Sequence, residues 1–388
     1  MFWLNFLHLY QPANADEKSI REAVDKSYFR LLRALEEHPD LKFTFNITGC
    51  LVERWVELGY SDLIRRIKRL IDRGQLEITG SAAYHPILPL VPSEEAIKQI
   101  KENEVILKKY FGVLPKGFFF PEMAFDDRTL KLVKKLGYEW VILDEFANYE
   151  FRIQNDESLR YDLAYLDQKS GLKVVFRSRK FSNGYVPDIL NSSIVKGQLS
   201  VVVTATDAEL YGLRHEDPTG EFEKLIKNKN LETATFSEFI NKQKQLEKVS
   251  LRASNWESTP AELKRGEPFA LWYSRKNKIQ VELWKFAKFA DLALVKYPKD
   301  KNIKWARWHL VRGLASCNFW WASGKDFKII FGPVAWNPDD IERHMSELLR
   351  AIRSLENKKT LPLKIKAEKM YTEIRFLIWQ EHWRKHWK

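Results

Sequence analysis

Buried strands alternating with amphipathic helices, then a tail that is helical throughout, predict an α/β chain. The expected architecture is a (β/α) barrel over residues 1–250 followed by a helical bundle over 251–388. Three observations carry this prediction. Polar residues with chemistry to offer (His8, His85, Glu122, Asp144 and Asp207) each fall just past the C-terminal end of an apolar strand, the face on which α/β barrels build their sites. Near residue 250 the hydrophobic period changes from strand-then-helix to helix alone. Tryptophan usage changes with it, since 11 of the 14 Trp lie from Trp256 onward.

Taken in order, the first strand is Phe2–Leu7, and HLYQP (8–12) is its exit loop. A 3.6-residue stripe of Ile20, Val24, Tyr28, Leu31, Leu32 and Leu35 predicts the helix that follows, ended by Pro39. Strand two is Lys42–Ile47, and the helical stretch after it carries Leu51, Trp55, Leu58, Leu63, Ile67 and Leu70. Strand three, Leu76–Thr79, opens into GSAAYHPILPLVP (80–92), and a helix from Ser93 to Tyr110 stops at Gly112. Strand four is Gly117–Phe120, feeding PEMAF (121–125). Strand five is Glu139–Leu143, ending in Asp144 and Glu145. Strand six is Ser200–Thr204 and strand seven Leu231–Phe236. The excursion 145–199 is too long for a simple connection. It holds a predicted hairpin, Tyr161–Leu166 and Leu172–Phe176 around Lys169-Ser170-Gly171, expected to roof the site.

A doubly wound open sheet is the competing architecture. It normally brings a GxGxxG turn after strand one, and HLYQP is not that. In the helical part, one stripe is Ile279, Leu283, Phe286, Ala287, Ala290 and Leu294; another is Ile303, Ala306, Leu310, Leu314, Cys317 and Trp321. Asn337-Pro338-Asp339-Asp340 reads as an N-cap, a first-turn proline and two first-turn acids. It opens a helix with Ile341, Met345, Leu348, Ile352 and Leu355.

Composition narrows the function classes. The net charge is +12, from 64 Lys+Arg against 52 Asp+Glu, but the charges are interspersed along helices rather than blocked into a tail. With no phosphate loop, zinc finger or RNP-like pattern, a nucleic-acid partner is not expected. Cys50 and Cys317 match neither a disulfide framework nor a zinc spacing. The N-terminal apolar run is short and lacks a basic region before it, so no signal peptide or membrane span is read there. A cytoplasmic protein without metal or other cofactor is expected.

The densest chemistry lies in SVVVTATDAELYGLRH (200–215). A β-branched run there empties into Thr206, Asp207, Glu209, Tyr211 and His215. Together with HLYQP, GQLEITGSAAYHPILPL and FFFPEMAF, in this order and spacing, TATDAELYG resembles the blocks of glycoside hydrolase family 57. The resemblance covers nearly the whole chain. It implies a (β/α)7 barrel with a helical domain contributing to the active-site cleft, acting on α-glucans with retention of configuration. It further implies Glu122 as nucleophile and Asp207 as general acid/base. A retaining glycosidase needs such a pair, one carboxylate to attack the anomeric carbon and one carboxylic acid to protonate the leaving oxygen. Asp144 and Glu145 are rival carboxylates, ranked below as positioning groups.

By the same resemblance His8, Gln11 and His85 belong to substrate binding. In SCNFWWASG (316–324), Asn318 and Trp321 would face a glycosyl unit. Trp256, Trp320 and Trp321 offer faces for sugar stacking. The chain departs from the family pattern at Phe120, where Trp is common and a stacking surface is kept. It departs also at Leu210, where a His often follows, and at Asn318, where an acid or His is frequent. Asp-Ala-Glu-Leu is similar to the branching-enzyme branch.

The expected activity is amylase-like hydrolysis of α-1,4-glucans. Transfer by a 4-α-glucanotransferase or branching enzyme is the alternative, because water or a sugar hydroxyl resolves the same intermediate. A polysaccharide deacetylase and a non-catalytic carbohydrate-binding protein rank lower. The first would need a closely spaced His pair that the strand ends do not offer.

Overall fold

The computed structural model describes residues 1–148, 159–195, 201–325 and 335–386. These cluster into two compact units. One holds Met1–Ala83 and Leu88–Trp256, the other Tyr84–Ile87 and Glu257–Lys388.

In the first unit β1 (Phe2–Leu9) lies between β2 (Phe43–Ile47) and β8 (Val201–Asp207), parallel to both, and β2 pairs in parallel with β3 (Leu76–Thr79). A second sheet runs from β4 (Gly117–Phe118) through β5 (Trp140–Asp144) to β7 (Lys173–Arg177), again parallel. The two sheets meet at both edges. Gly80 bridges Phe118, with Gly80 N donating to Gly117 O at 2.8 Å and Phe119 N to Gly80 O at 2.9 Å. On the other side Ser178 N donates to Val203 O at 3.0 Å. The ring is therefore β1-β2-β3-β4-β5-β7-β8, a (β/α)7 barrel whose β7–β8 seam is the looser one.

Seven strands leave a small interior, and large side chains fill it. Leu4 and Phe6 of β1, Trp140 and Ile142 of β5, Val175 of β7, and Val203 and Ala205 of β8 share one buried cluster with Phe119, Phe236 and Trp256. Trp140 stacks on Phe236, ring centroids 5.5 Å apart. The opposite side of Trp140 needs a glycine: a Cβ on Gly117 would lie 2.1 Å from its Cζ2.

The seventh barrel strand is not the expected 231–236 but β7. Only Glu232 and Thr233 are extended there, as β9, which pairs with Phe2 and Trp3 at the foot of β1. The run ends because Thr235 caps the next helix, Phe236–Lys242, in a capping box with Glu238. The hairpin itself forms: β6 (Tyr165–Asp167) is antiparallel to β7, with Tyr165 opposite Val174. Its turn is held by Asp167, which accepts from Ser170 N at 2.8 Å, and by Gly171 at φ 68°. β7 thus belongs to the barrel wall and is no roof. Strand β10 (Glu247–Val249) pairs with the far side of β6. Residues 149–158 and 196–200 of the excursion lie outside the described residues.

The first amphipathic stripe spans two α-helices, Glu17–Ala23 and Phe29–Glu37, with a π-helical turn, Val24–Tyr28, between them. The wider turn turns Ser27 and Tyr28 inward, and both are buried.

The second unit is helical, with major helices Lys278–Lys296, Ile303–Gly313, Pro338–Arg353 and Leu361–Glu381. The stripe from Ile279 to Leu294 is buried, and so is the one from Ile341 to Leu355. Asn337 caps its helix, accepting from Asp340 N at 3.1 Å. The expected single stripe from Ile303 to Trp321 is instead split. The helix ends at Gly313, and a short one, Ser316–Trp320, starts after the extended residue Ala315. No helix among the described residues is long and apolar enough to cross a membrane.

Candidate active site

The site begins where β1 and β8 run out together. Their parallel register sets His8 opposite Asp207. His8 is buried, and its Nδ1–H donates to Asn46 Oδ1 of β2 at 2.9 Å, while Asn46 Nδ2 donates to Thr79 of β3 at 3.2 Å. That chain of donors places the ring hydrogen on Nδ1 and a lone pair on Nε2. Burial drives the imidazole pKa from 6.5 down to about 4, against the opposing charge of Asp207, so His8 is a neutral acceptor.

Past β8 the chain enters a short 3-10 turn, Ala208–Leu210. Asp207 keeps 25% of its side chain exposed and pairs with Arg214, Nη1 to Oδ2 at 2.5 Å. Glu209 is enclosed instead. Its Oε1 accepts from Gln11 Nε2 at 3.0 Å and from Tyr28 Oη at 2.5 Å. Burial pushes the Glu209 carboxyl up, with Arg214 opposing and the Asp207 charge adding. The π-turn explains the fit, because Ser27 Oγ also donates to Ala208 O at 2.6 Å. Gln11 and Tyr28 thus brace the turn that presents Asp207.

Glu122 sits in the turn Pro121–Met123 after β4, with φ 59°, and Met123 follows at φ 49°. Two consecutive left-handed non-glycine residues are unfavourable, and such strain persists only where the surroundings enforce it. Here the segment 254–256 is zipped onto the turn. Phe125 N donates to Ser254 O at 3.2 Å, Trp256 N to Glu122 O at 3.3 Å, and Trp256 Nε1 to Glu122 Oε2 at 3.0 Å. The indole of Trp256, expected to stack a sugar, is buried and directs its N–H to a carboxylate.

His8 joins the two carboxylate environments. Its ring lies 4.7 Å from that of Phe119 and 6.0 Å, edge-on, from that of Trp256. Asp207 is therefore the strand neighbour of His8, and Glu122 is bonded to the indole that touches it.

The rival carboxylates are committed elsewhere. Asp144 accepts from Arg177 Nε at 2.9 Å and Arg179 Nε at 2.8 Å. Glu145 accepts from Tyr161 Oη and, at 3.2 Å, from Arg179 N, and burial pushes its carboxyl up.

Phe120 is fully enclosed, 5.0 Å from Phe118 and 6.0 Å from Phe125. It packs the Glu122 turn and offers no face for stacking, which corrects its expected role. The remaining candidates belong to the second unit. His85, at φ 57°, is buried with Nδ1 3.0 Å from Ser316 Oγ. Asn318 is buried and donates from Nδ2 to Gly313 O at 2.9 Å, tying the short helix to the end of the preceding one. Trp320 and Trp321 are half-buried, centroids 4.5 Å apart.

Asp188, His215 and Asp217 form a further cluster. Their ligand atoms lie within 4.8 Å of one another. Asp217, however, already accepts from Arg30 at 2.5 Å, Tyr185 Oη at 2.6 Å and two backbone N–H groups. Its carboxylate oxygens are taken up by a guanidinium, a tyrosine hydroxyl and two backbone N–H groups.

Sequence reasoning missed Asn46, Tyr28, Arg177 and Arg214. Tyr28 read as one more apolar position of a stripe. Arg177 closes an apolar run, and a charge there could have been noticed as a second barrel-face signal.

Glu122 after β4 and Asp207 at the end of β8 put two carboxylates on the C-terminal face of a (β/α)7 barrel, the face on which such barrels build their sites. The chain belongs to glycosyl hydrolase family 57, whose model matches residues 3–252. It is 25% identical over 261 residues to the 4-alpha-glucanotransferase of Thermococcus litoralis, covering 62% of this chain and 39% of that protein. The alpha-amylase of Pyrococcus horikoshii is 34% identical over 146 residues, 37% of this chain and 23% of that protein. The matched region spans about a quarter of the length of the alpha-amylases of Dictyoglomus thermophilum and Pyrococcus horikoshii. The crystal structure of the Thermococcus litoralis 4-alpha-glucanotransferase superposes with a TM-score of 0.70 at 20% identity, covering 92% of this chain and 60% of that one. That of a branching enzyme from Thermococcus kodakaraensis gives 0.67 at 16% identity, covering 96% and 95%.

Proposed function

We propose that the protein is a retaining enzyme on α-1,4-glucans, with Glu122 as nucleophile and Asp207 as acid/base, and that hydrolysis is its main outcome. The observation that carries this reading is the hydrogen bond from Trp256 Nε1 to Glu122 Oε2, 3.0 Å long. It stabilises an oriented, ionised carboxylate on a strained turn, which is what a nucleophile requires.

In the first step a Glu122 oxygen bonds to the anomeric carbon as the glycosidic C–O bond breaks, and Asp207 gives its proton to the departing oxygen. In the second, Asp207 takes a proton from water as that oxygen attacks the same carbon and Glu122 departs. Arg214, paired with Asp207 at 2.5 Å, stands beside the acid/base in this cycle. His8, a neutral acceptor beside Asp207, suits a sugar hydroxyl.

Transfer is the second reading, favoured by a relative named 4-alpha-glucanotransferase. Incubation with amylose and with maltooligosaccharides, followed by thin-layer and anomeric NMR analysis, tests both. Shorter products with retained configuration support hydrolysis; longer oligosaccharides from a single maltooligosaccharide support transfer; inverted products sink the pair assignment.

A further inference from the structure

We propose that Arg177 is a positioning residue that sets both carboxylates at once: Glu122 through Trp256, and Asp207 through the backbone of β8. This deepens the reading above and rests on it.

The side chain is buried at the end of β7, with 4% of it exposed. All three of its nitrogens are used. Nε donates to Asp144 Oδ2 at 2.9 Å, Nη1 to Ala205 O at 3.0 Å, and Nη2 to Trp256 O at 2.9 Å. Ala205 precedes Asp207 by two positions on β8, so one arm of the fork fixes the strand that carries the acid/base. The other arm fixes the residue whose indole and backbone both bond Glu122. A planar guanidinium can hold three such acceptors at set angles, whereas an ammonium cannot. Asp144 supplies the counter-charge that lets the cation be buried, which explains why a strand-end carboxylate is spent there.

A second effect follows from stacking. The guanidinium carbon lies 5.4 Å from the centre of the Trp256 ring. A cation over an indole draws electron density from it, so the N–H becomes a better donor to the Glu122 carboxylate.

The seam between β7 and β8 is where this matters. The barrel ladder is thin there, and the Arg177 fork adds a tie across it, from β7 to Ala205 of β8.

The test compares Trp256→Phe, Arg177→Lys and Arg177→Met, singly and in pairs, by kcat, KM, the pH profile of kcat/KM and thermal unfolding. Loss of one preorganised donor at a reacting group lowers kcat by about 10²-fold or more. Trp256→Phe is expected to do this with KM little changed, and to move the acidic limb of the profile to higher pH, because the carboxylate loses a stabilising donor. Both Arg177 variants are expected to move that limb the same way, Lys failing to rescue, to move it no further once Trp256 is Phe, and to lower kcat beyond Trp256→Phe alone through the arm that holds the Asp207 strand. An Arg177→Met that does not fold leaves the Lys variant and Trp256→Phe to decide the matter.

Arg177 variants that leave kcat and the acidic limb in place and lower only the unfolding temperature would overturn the inference and leave Arg177 a structural residue. Glu122→Ala with added azide separates this from the underlying assignment. Failure of azide to restore turnover, or activity that survives the substitution, removes the nucleophile reading itself.

Discussion

His8 and Asp207 are register partners on adjacent parallel strands, β1 and β8, so the neutral imidazole and the candidate acid/base leave the barrel side by side. From His8 the aromatic contacts run to Trp256 and through its N–H to Glu122. This arrangement makes a geometric prediction. In a crystal of the enzyme with a trapped glycosyl intermediate, the carboxyls of Glu122 and Asp207 should stand about 5–5.5 Å apart, the separation of retaining enzymes. A gap beyond about 10 Å would exceed either hydrolytic geometry and dissolve the pair.

Glu122→Gln should abolish turnover while leaving glucan binding nearly intact. The amide keeps the shape and the acceptor toward Trp256 but cannot form the glycosyl ester. A fall in kcat of more than ~10³-fold is expected for loss of a covalent catalyst. Steady-state rates together with calorimetric binding of a maltooligosaccharide check this, and near-normal turnover would refute it.

The buried His8 imidazole makes stability depend on pH. Its pKa falls from 6.5 to about 4 on folding, so the unfolded chain binds the extra proton in that window. Stability is therefore complete above about pH 6.5 and is lost as pH drops toward 4, by up to about 3 kcal/mol. Thermal unfolding of His8→Gln across this range should show a shallower decline than the parent. Parallel curves would mean that the imidazole is not the group responsible.

Gly117→Ala should destabilise the barrel without touching the chemistry. The new Cβ would meet Trp140 at 2.1 Å, and Trp140 is fixed on its other side by Phe236 and by its N–H to Ser237 Oγ at 3.0 Å. Overpacking of this kind costs about 1–3 kcal/mol. Denaturant titration measures it, and an unchanged midpoint would contradict the packing described.

Activity should survive exhaustive EDTA, because the mechanism proposed uses two carboxylates and a water and needs no Lewis acid. Restoration of a lost activity by zinc would instead favour deacetylation.

The sequence by itself determined the barrel-then-bundle order, the strand ends that carry Glu122, Asp207 and His8, and the family. These are legible because buried strands, helical stripes and short strand-end motifs are written in local residue order. It misassigned the seventh strand. Thr235 and Glu238 form a capping box that ends the extended run, while Lys173–Arg177 looked like half of a hairpin and is one, yet also pairs in parallel with β5. A strand with two partners cannot be told from a strand with one by its own alternation. The role of Trp256 was equally out of reach, since an indole reads alike whether it faces a sugar or a carboxylate 134 positions away. So was the fork of Arg177, whose acceptors come from β5, β8 and the segment beyond the barrel. Only the tertiary structure decided these, because hydrogen bonds between distant segments exist once ring closure has fixed which strand ends share a face.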